Sequence, residues 1–153
     1  MQRFAMLLSL SLLAALPAHA DLKANTETAK RVFLEKMGQG RFDKLDEIYA
    51  PGFVAHGVTQ DYTLEEDNES GKQWRATFPD LQVKVVRTVA EGDMVAVHFT
   101  ATGTNSGKDP GMPGAGKKAS MDGMTFFRFK AGRIAEEWSV LDIASLNRQM
   151  NTP

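Results

Sequence analysis

The chain has 153 residues, of which 18 are Lys or Arg and 19 are Asp or Glu, so its formal net charge is −1 at pH 7. A nearly neutral chain lacks the concentrated basic face that nucleic-acid binding requires, so we expect no nucleic-acid partner. The absence of cysteine excludes disulfides, thiolate metal ligands and a cysteine nucleophile.

The first twenty residues have the three parts of a secretory signal. Arg3 is their only charged residue, residues 4–16 are apolar apart from serines, and Ala18-His19-Ala20 offers a small-x-small cleavage site. The apolar stretch is shorter than the roughly 20 residues that span a bilayer. The sequence therefore predicts a cleaved signal peptide over 1–20, a periplasmic or secreted protein with no membrane span, and one domain over 21–153.

Helical periodicity dominates the first half of this domain. The spacing of apolar residues predicts a helix over 22–37 and a second, short helix that Asp43 can cap. A short strand follows over 53–56. Thr63 and Glu66 have the spacing of a capping box and predict the start of a third helix, which Pro79 ends.

Beyond Asp80 the apolar period changes from helical to two. Alternation predicts strands from residue 81, over 94–104, over 121–130 and over 133–141, and a last helical turn over 144–150. Helices followed by hairpin-linked strands indicate an α+β fold, in which a curved, mostly antiparallel sheet packs on the N-terminal helices.

The loop over 105–116 is rich in glycine and proline. Its end, Gly111 to Lys118, nearly matches a phosphate-binding loop, but Lys118 replaces the hydroxyl residue and a strand follows where that motif needs a helix. We therefore interpret the loop as a flexible flap that can gate a pocket.

Asp142 is the most informative candidate for chemistry. Strict alternation places it on one face of the last strand with Ile134, Glu136, Trp138 and Val140, and the bulky apolar residues mark that face as covered. An aspartate at the end of this row lies at the lip or floor of the enclosed space, where partial burial raises its pKa and makes it a better base. Alternatively, Asp142 only caps the C-terminal helix, and spacing alone does not decide between the two.

His56 and His98 are the histidines of the predicted mature chain. Each fits an acid–base role beside a pocket and equally a structural one, and the weakly apolar face that carries His98 favours the structural role there. Their wide separation, without thiols nearby, argues against a zinc site, so we expect no metal and no cofactor. Met124 belongs to a strand with two apolar faces, which fits a pocket wall, a two-sided core or a contact between two copies.

Several segments together resemble a known family. They are 53–56, 78–80, 91–97, 102–104 and a closing block over 127–138 that leads to Asp142. In this order and spacing, over about residues 25–150, the chain resembles the SnoaL-like polyketide cyclases of the nuclear transport factor 2-like superfamily.

The resemblance implies a cone-shaped α+β barrel that encloses an apolar pocket and pairs into homodimers through its sheet. In these cyclases an aspartate at the end of the last strand is the general acid–base of a metal-free aldol ring closure, and that position matches Asp142. The family's histidine near the first strand matches His56, which would help to hold the developing oxyanion. Many relatives have a histidine where this chain has Asn105, so a polar relay there would differ.

Two functions follow as expectations. The first is an enzyme that abstracts a proton beside a carbonyl and closes or isomerises a ring, with Asp142 and His56 as catalytic residues. Its pocket would be lined by Trp74, Phe78, His98, Met124 and Trp138. The alternative is an exported protein that binds a small apolar molecule without changing it, or a dimer whose pocket is vestigial. Export favours binding, because polyketide assembly takes place in the cytoplasm.

Overall fold

Helix α1 (Leu22–Arg31) begins directly after Asp21, whose carboxylate accepts a hydrogen bond from the backbone N–H of Ala24 at 3.0 Å. Such a cap satisfies one of the N–H groups that the first helical turn leaves unpaired. The helix continues into a π-helical turn (Val32–Met37). The computed structural model describes residues 21–152, so the predicted signal peptide lies outside the described residues.

The next elements form one edge of the domain. Helix α2 (Leu45–Ile48) leads directly into strand β1 (Tyr49–His56), which turns back into the two-residue strand β2 (Asp61–Tyr62). Helix α3 (Leu64–Thr77) follows, and the predicted capping box is confirmed. Its two reciprocal bonds join the Thr63 hydroxyl to the N–H of Glu66 at 3.3 Å and the Glu66 carboxylate to the N–H of Thr63 at 2.8 Å.

The second half of the chain forms most of one sheet. Its strands are β3 (Gln82–Glu91), β4 (Met94–Thr104), β5 (Lys118–Lys130) and β6 (Arg133–Leu141), and helix α4 (Ile143–Asn151) ends the described chain. The strand order is β2-β1-β6-β5-β4-β3, and every pair is antiparallel except β1 with β6. The predicted α+β fold with a mostly antiparallel sheet is confirmed. No helix within 21–152 is both long and apolar enough to cross a membrane.

The helices cover one face of this open sheet, which we call the inner face. Two apolar clusters fill the space between them. The larger lies under α1 and the π-helical turn, and the smaller lies where α3 and α4 meet the start of β5. The larger cluster contains Ala29, Val32, Phe33, Ile48, Tyr49, Phe53, Val95, Val97, Phe99, Phe127, Phe129 and Ile134.

Strand β6 contains a β-bulge. Phe129 pairs with Ile134 but its neighbour Arg128 pairs with Glu136, so Ala135 is the extra residue. A one-residue slip exchanges the faces of every later side chain. Ile134 is therefore buried in the core, and beyond the bulge Glu137 and Ser139 turn to the inner face, while Glu136 and Trp138 turn away from it.

The loop over 105–117 is tied to its surroundings. The Asn105 side chain, 1% exposed, donates to the Pro113 carbonyl at 2.9 Å and accepts from the Gly107 N–H at 2.9 Å. Lys117 Nζ donates to the Met150 carbonyl of α4 at 3.0 Å. The Asn105 side chain is thus used to hold the loop, at the position where many relatives have a histidine.

Candidate functional site

A cavity of about 300 Å³ lies between the inner face of the sheet and the helices. This volume is at the lower end of the range for small-molecule pockets, which is about 300–1,000 Å³. Most of its wall is apolar and comes from both core clusters. The apolar lining includes Val32, Phe33, Met37, Trp74, Phe78, Leu81, Val83, Phe99, Met121, Leu141 and Leu146.

One end of the cavity carries a buried ion pair. Lys36 of the π-helical turn is 2% exposed, and its ammonium donates to the Asp67 carboxylate at 2.5 Å and to the Tyr49 hydroxyl at 3.0 Å. Two of its three N–H groups are thereby used, and the third has no acceptor among residues 21–152. Lys36 and Asp67 both line the cavity, so this remaining N–H is available to an oxygen of a bound molecule.

Glu137 brings a second carboxylate to the same end. Its Oε1 accepts a hydrogen bond from the Ser139 hydroxyl at 2.9 Å, and Ser139 is 2.7 Å from the Thr125 hydroxyl. If Ser139 donates to Glu137, Thr125 must donate to Ser139, because a hydroxyl has one proton. The other Glu137 oxygen accepts no bond from the described residues, which leaves it available within the cavity.

This environment changes the acidity of Glu137. Burial, and then the nearby negative charge of Asp67, raise the pKa of Glu137 to about 7, against the opposing effects of the Lys36 charge and the Ser139 hydrogen bond. A carboxyl with such a pKa exists in both protonation states near neutral pH, which suits it to general acid–base chemistry. Burial, with the charges of Glu137 and Asp67, also raises the pKa of Tyr49 well above its ordinary value, so this phenol stays protonated.

The arrangement places a proton acceptor and a hydrogen-bond donor at one end of an apolar space. Glu137 can remove or return a proton, and the Lys36 ammonium can stabilise negative charge that develops on an oxygen. Among residues 21–152, no group of three or more His, Asp or Glu side chains is arranged to hold a metal ion.

The structure places two of the five predicted pocket residues in the cavity wall. Trp74 and Phe78 line it, with ring centroids 5.7 Å apart. His98, Met124 and Trp138 lie instead on the opposite, outer face of the sheet. Met124 pairs with His98 on β4 and Met124 is 55% exposed, whereas Trp138 leaves the inner face because of the bulge at Ala135.

Asp142 lies at the surface and caps α4. Its carboxylate accepts a hydrogen bond from the Ser145 backbone N–H at 2.9 Å. Its neighbours Leu141 and Leu146 line the cavity, but Asp142 is exposed and does not. The contacts of Asp142 are therefore those of a helix cap, which was the alternative interpretation of this residue.

His56 borders the mouth of the cavity, but its ring contacts outer-face groups. It stacks on Trp138 with ring centroids 4.6 Å apart and lies 2.9 Å from carboxylate oxygens of both Asp61 and Glu136. Glu136, which alternation had placed on the covered face of the last strand, is therefore one of its partners on the outer face.

Sequence reasoning did not identify Lys36, Asp67 or Glu137. Lys36 and Asp67 stand among other charged residues in helices of mixed composition, where no pattern distinguishes them. For Glu137 a signal exists in the adjacent pair Glu136-Glu137, since neighbouring strand residues face opposite sides and one of the two must face inward. Alternation alone does not locate the bulge that decides which one.

Comparison with known proteins identifies the family. The sequence model of the SnoaL-like polyketide cyclases matches residues 27–150. The chain belongs to the SnoaL-like polyketide cyclase family. No curated protein sequence matches the chain.

Several solved structures share this fold. IdmH, a candidate polyketide cyclase from Streptomyces antibioticus, is 26% identical with a TM-score of 0.74, over 84% of this chain and 99% of that chain. A candidate SnoaL-like polyketide cyclase from a Jannaschia species is 24% identical with a TM-score of 0.75, over 90% and 99%. AclR, a candidate hydroxylase from Streptomyces galilaeus, is 22% identical with a TM-score of 0.76, over 86% and 88%. The same fold therefore occurs in proteins described as a candidate cyclase and as a candidate hydroxylase.

Proposed function

We propose that this SnoaL-like protein binds a small, largely apolar molecule with an enolisable carbonyl group and catalyses proton transfer on it, with Glu137 as general acid–base. The observation that carries the proposal is a carboxyl with a pKa of about 7 beside the Lys36 ammonium at one end of an apolar cavity. Neither group has all its hydrogen-bonding capacity satisfied by the described residues.

The proposed step conserves protons. Glu137 in its carboxylate form removes a proton from the carbon next to the carbonyl, and the electron pair moves to the carbonyl oxygen, which the available Lys36 N–H stabilises. The carbanion carbon then attacks a second carbonyl of the same molecule and closes a ring. Protonated Glu137 returns its proton to the new alkoxide. The family membership and the description of IdmH as a candidate polyketide cyclase support ring closure as the class of reaction.

We also propose that the protein acts outside the cytoplasm, as the signal-like pattern over 1–20 suggests. The predicted export also favours the second candidate function, binding without catalysis. Such a protein would use the same cavity and would retain its ligand unchanged.

A proton-exchange experiment tests the proposal and compares Glu137 with Asp142. Wild-type protein is incubated in D₂O with a panel of enolisable cyclic ketones and 1,3-diketones, and NMR follows loss of the α-proton. We expect Glu137→Gln to slow the catalysed exchange by about 100-fold or more, the usual size of a general acid–base contribution.

Asp142→Asn is the matched control, because asparagine also caps helices well. Its exchange rate should stay within about twofold of wild type, because among the described residues the Asp142 carboxylate accepts a hydrogen bond only from the α4 backbone. Loss of exchange in Asp142→Asn but not in Glu137→Gln would assign the base to Asp142. Binding of these ketones without any exchange in wild type would instead establish the binding protein.

We further propose a homodimer formed through the outer face of the sheet. Apolar side chains on this face are strongly exposed, with Val140 at 73%, Met124 at 55% and Phe126 at 47%. Isolated apolar residues on a surface need no explanation, but a contiguous group typically marks an interface. A second copy of the chain is the partner that the family resemblance suggests.

A further inference from the structure

His56 lies between two carboxylates. Its Nδ1 is 2.9 Å from Asp61 Oδ1, and its Nε2 is 2.9 Å from Glu136 Oε2. Ionised carboxylates only accept hydrogen bonds, and a neutral imidazole has a single N–H. Both contacts can therefore be hydrogen bonds only when His56 is the doubly protonated imidazolium.

The two carboxylates differ in their other contacts. Glu136 also accepts a hydrogen bond from Arg128 Nη1 at 2.8 Å, and Arg128 lies over the Trp138 ring at 5.3 Å. The Asp61 side chain is 61% exposed and has no other hydrogen-bond or ion-pair partner among the described residues. When His56 loses a proton, its one remaining N–H can bond only one of the two carboxylates. We expect that partner to be Glu136, which is 30% exposed, so that a ring lone pair faces Asp61.

Asp61 belongs to β2, a strand of two residues at the edge of the sheet. It forms β2 with Tyr62, and β2 pairs only with β1, through Ala55 with Tyr62 and His56 with Asp61. The turn between the strands contains one backbone bond, from the Gly57 N–H to the Gln60 carbonyl at 3.0 Å. Gly57 and Tyr62 line the cavity and are also exposed to solvent, so this hairpin forms part of the cavity mouth.

We propose that His56 is a proton-dependent latch that holds the β1–β2 hairpin closed over the cavity mouth. The latch itself does not depend on the proposed function. Its consequence, control of ligand entry and exit, does. Asp61 and Glu136 are the carboxylates that face the ring, and Arg128 stands behind Glu136. The hydrogen bond with Glu136 is the main cause that raises the pKa of His56 above its ordinary value; burial opposes it, and the hydrogen bond with Asp61 adds a smaller increase. The latch is thus closed below that raised pKa and opens as the pH rises through it.

Amide hydrogen exchange of the hairpin tests the latch without any ligand. After correction for intrinsic rates, we expect the amides of residues 57–62 to exchange roughly fivefold faster at about pH 9 than at about pH 6, because an exposed ion pair contributes a factor of this size. His56→Asn and Asp61→Asn should exchange at the faster rate at both pH values. Unchanged hairpin protection in these variants, together with no pH dependence in wild type, would overturn the latch.

His98→Asn is the matched control for these variants. His98 is also a half-buried histidine beside a carboxylate, with Nε2 3.7 Å from Asp122, but it lies on β4, away from the hairpin. This variant should keep the wild-type pH dependence of hairpin exchange. If it loses that dependence as His56→Asn does, the effect is not specific to the latch.

Release of an uncharged dye tests the consequence. N-phenyl-1-naphthylamine does not titrate between about pH 6 and 9, and Glu137→Gln as background removes the cavity carboxyl whose pKa is about 7. Stopped-flow dissociation should accelerate about fivefold with rising pH and should be fast and pH-independent once His56→Asn is added. Hairpin opening without faster dissociation would overturn control of access. Absence of dye binding would contradict the proposed pocket function, while amide exchange would still decide the latch.

Discussion

At the scale of single residues, the acidity of Glu137 follows first from its burial, which raises its pKa most, and then from its charged neighbours. Asp67 raises the pKa of Glu137, and Lys36 lowers it less. Asp67 also holds Lys36 in place through their 2.5 Å contact. One carboxylate therefore both orients the cation and keeps the second carboxylate partly protonated near neutral pH.

Replacement of Asp67 by asparagine should lower the pKa of Glu137 below its value of about 7. The repulsion between the two carboxylates disappears, and the positive charge of Lys36 is no longer offset. NMR titration of the labelled Glu137 carboxyl carbon measures the shift directly. An unchanged or higher pKa in Asp67→Asn would contradict this account of the site.

The same group makes stability depend on pH. Because the folded pKa of Glu137 is about 7 and its ordinary value is 4.5, the folded protein binds this proton more tightly than the unfolded chain between these values. Stability should therefore fall as the pH rises through this window, by at most about 3 kcal/mol. His56, whose pKa is also raised, contributes in the same direction. Urea unfolding at about pH 5 and pH 8 measures the free energy of unfolding. It should decrease less between these pH values in Glu137→Gln than in wild type.

At the scale of elements, the bulge at Ala135 decides which side chains of β6 reach the cavity. Periodicity predicted every helix and strand except the two-residue β2, because burial on one face imposes the pattern. Some ends were wrong, and β1 begins at Tyr49 instead of at the predicted residue 53. Alternation along β6 fails beyond Ile134, since one unpaired residue reverses all later faces. The site residues Trp74 and Phe78 were predictable from an apolar helical stripe, whereas Glu137 required the register with β5.

Changes in the length of β6 test the importance of this register. Deletion of Ala135 should remove the bulge and leave Ile134 and Glu137 on the inner face, so dye binding and cooperative unfolding should persist. Insertion of one alanine between Glu136 and Glu137 should turn Glu137 outward and Trp138 inward, at a cost of more than about 2 kcal/mol. Thermal melts followed by circular dichroism measure the stability of each variant, and dye titration measures its ligand binding. Equal behaviour of the two variants would contradict the assignment of the bulge.

At the scale of the whole molecule, the outer face of the sheet should decide the oligomeric state. Phe126→Lys and Val140→Lys place charges among exposed apolar side chains, so a dimer formed there should dissociate. Sedimentation velocity over a range of protein concentrations measures the state of each variant. Thr102→Lys, on the same face but next to Ser120, is a control that should leave the dimer intact. A wild-type monomer at every concentration would exclude the dimer.

The cap of α1 gives the predicted export signal a structural consequence. Asp21 is both the first residue after the predicted cleavage site and the residue whose carboxylate accepts the Ala24 N–H. Cleavage after Ala20 would create a positively charged terminus at the positive end of the helix dipole, and the Asp21 carboxylate would offset that repulsion. A signal peptidase that cut one residue later would release a protein without its first helix cap. The mass of the mature chain would thus show, to a single residue, whether cleavage leaves Asp21 in place to cap α1.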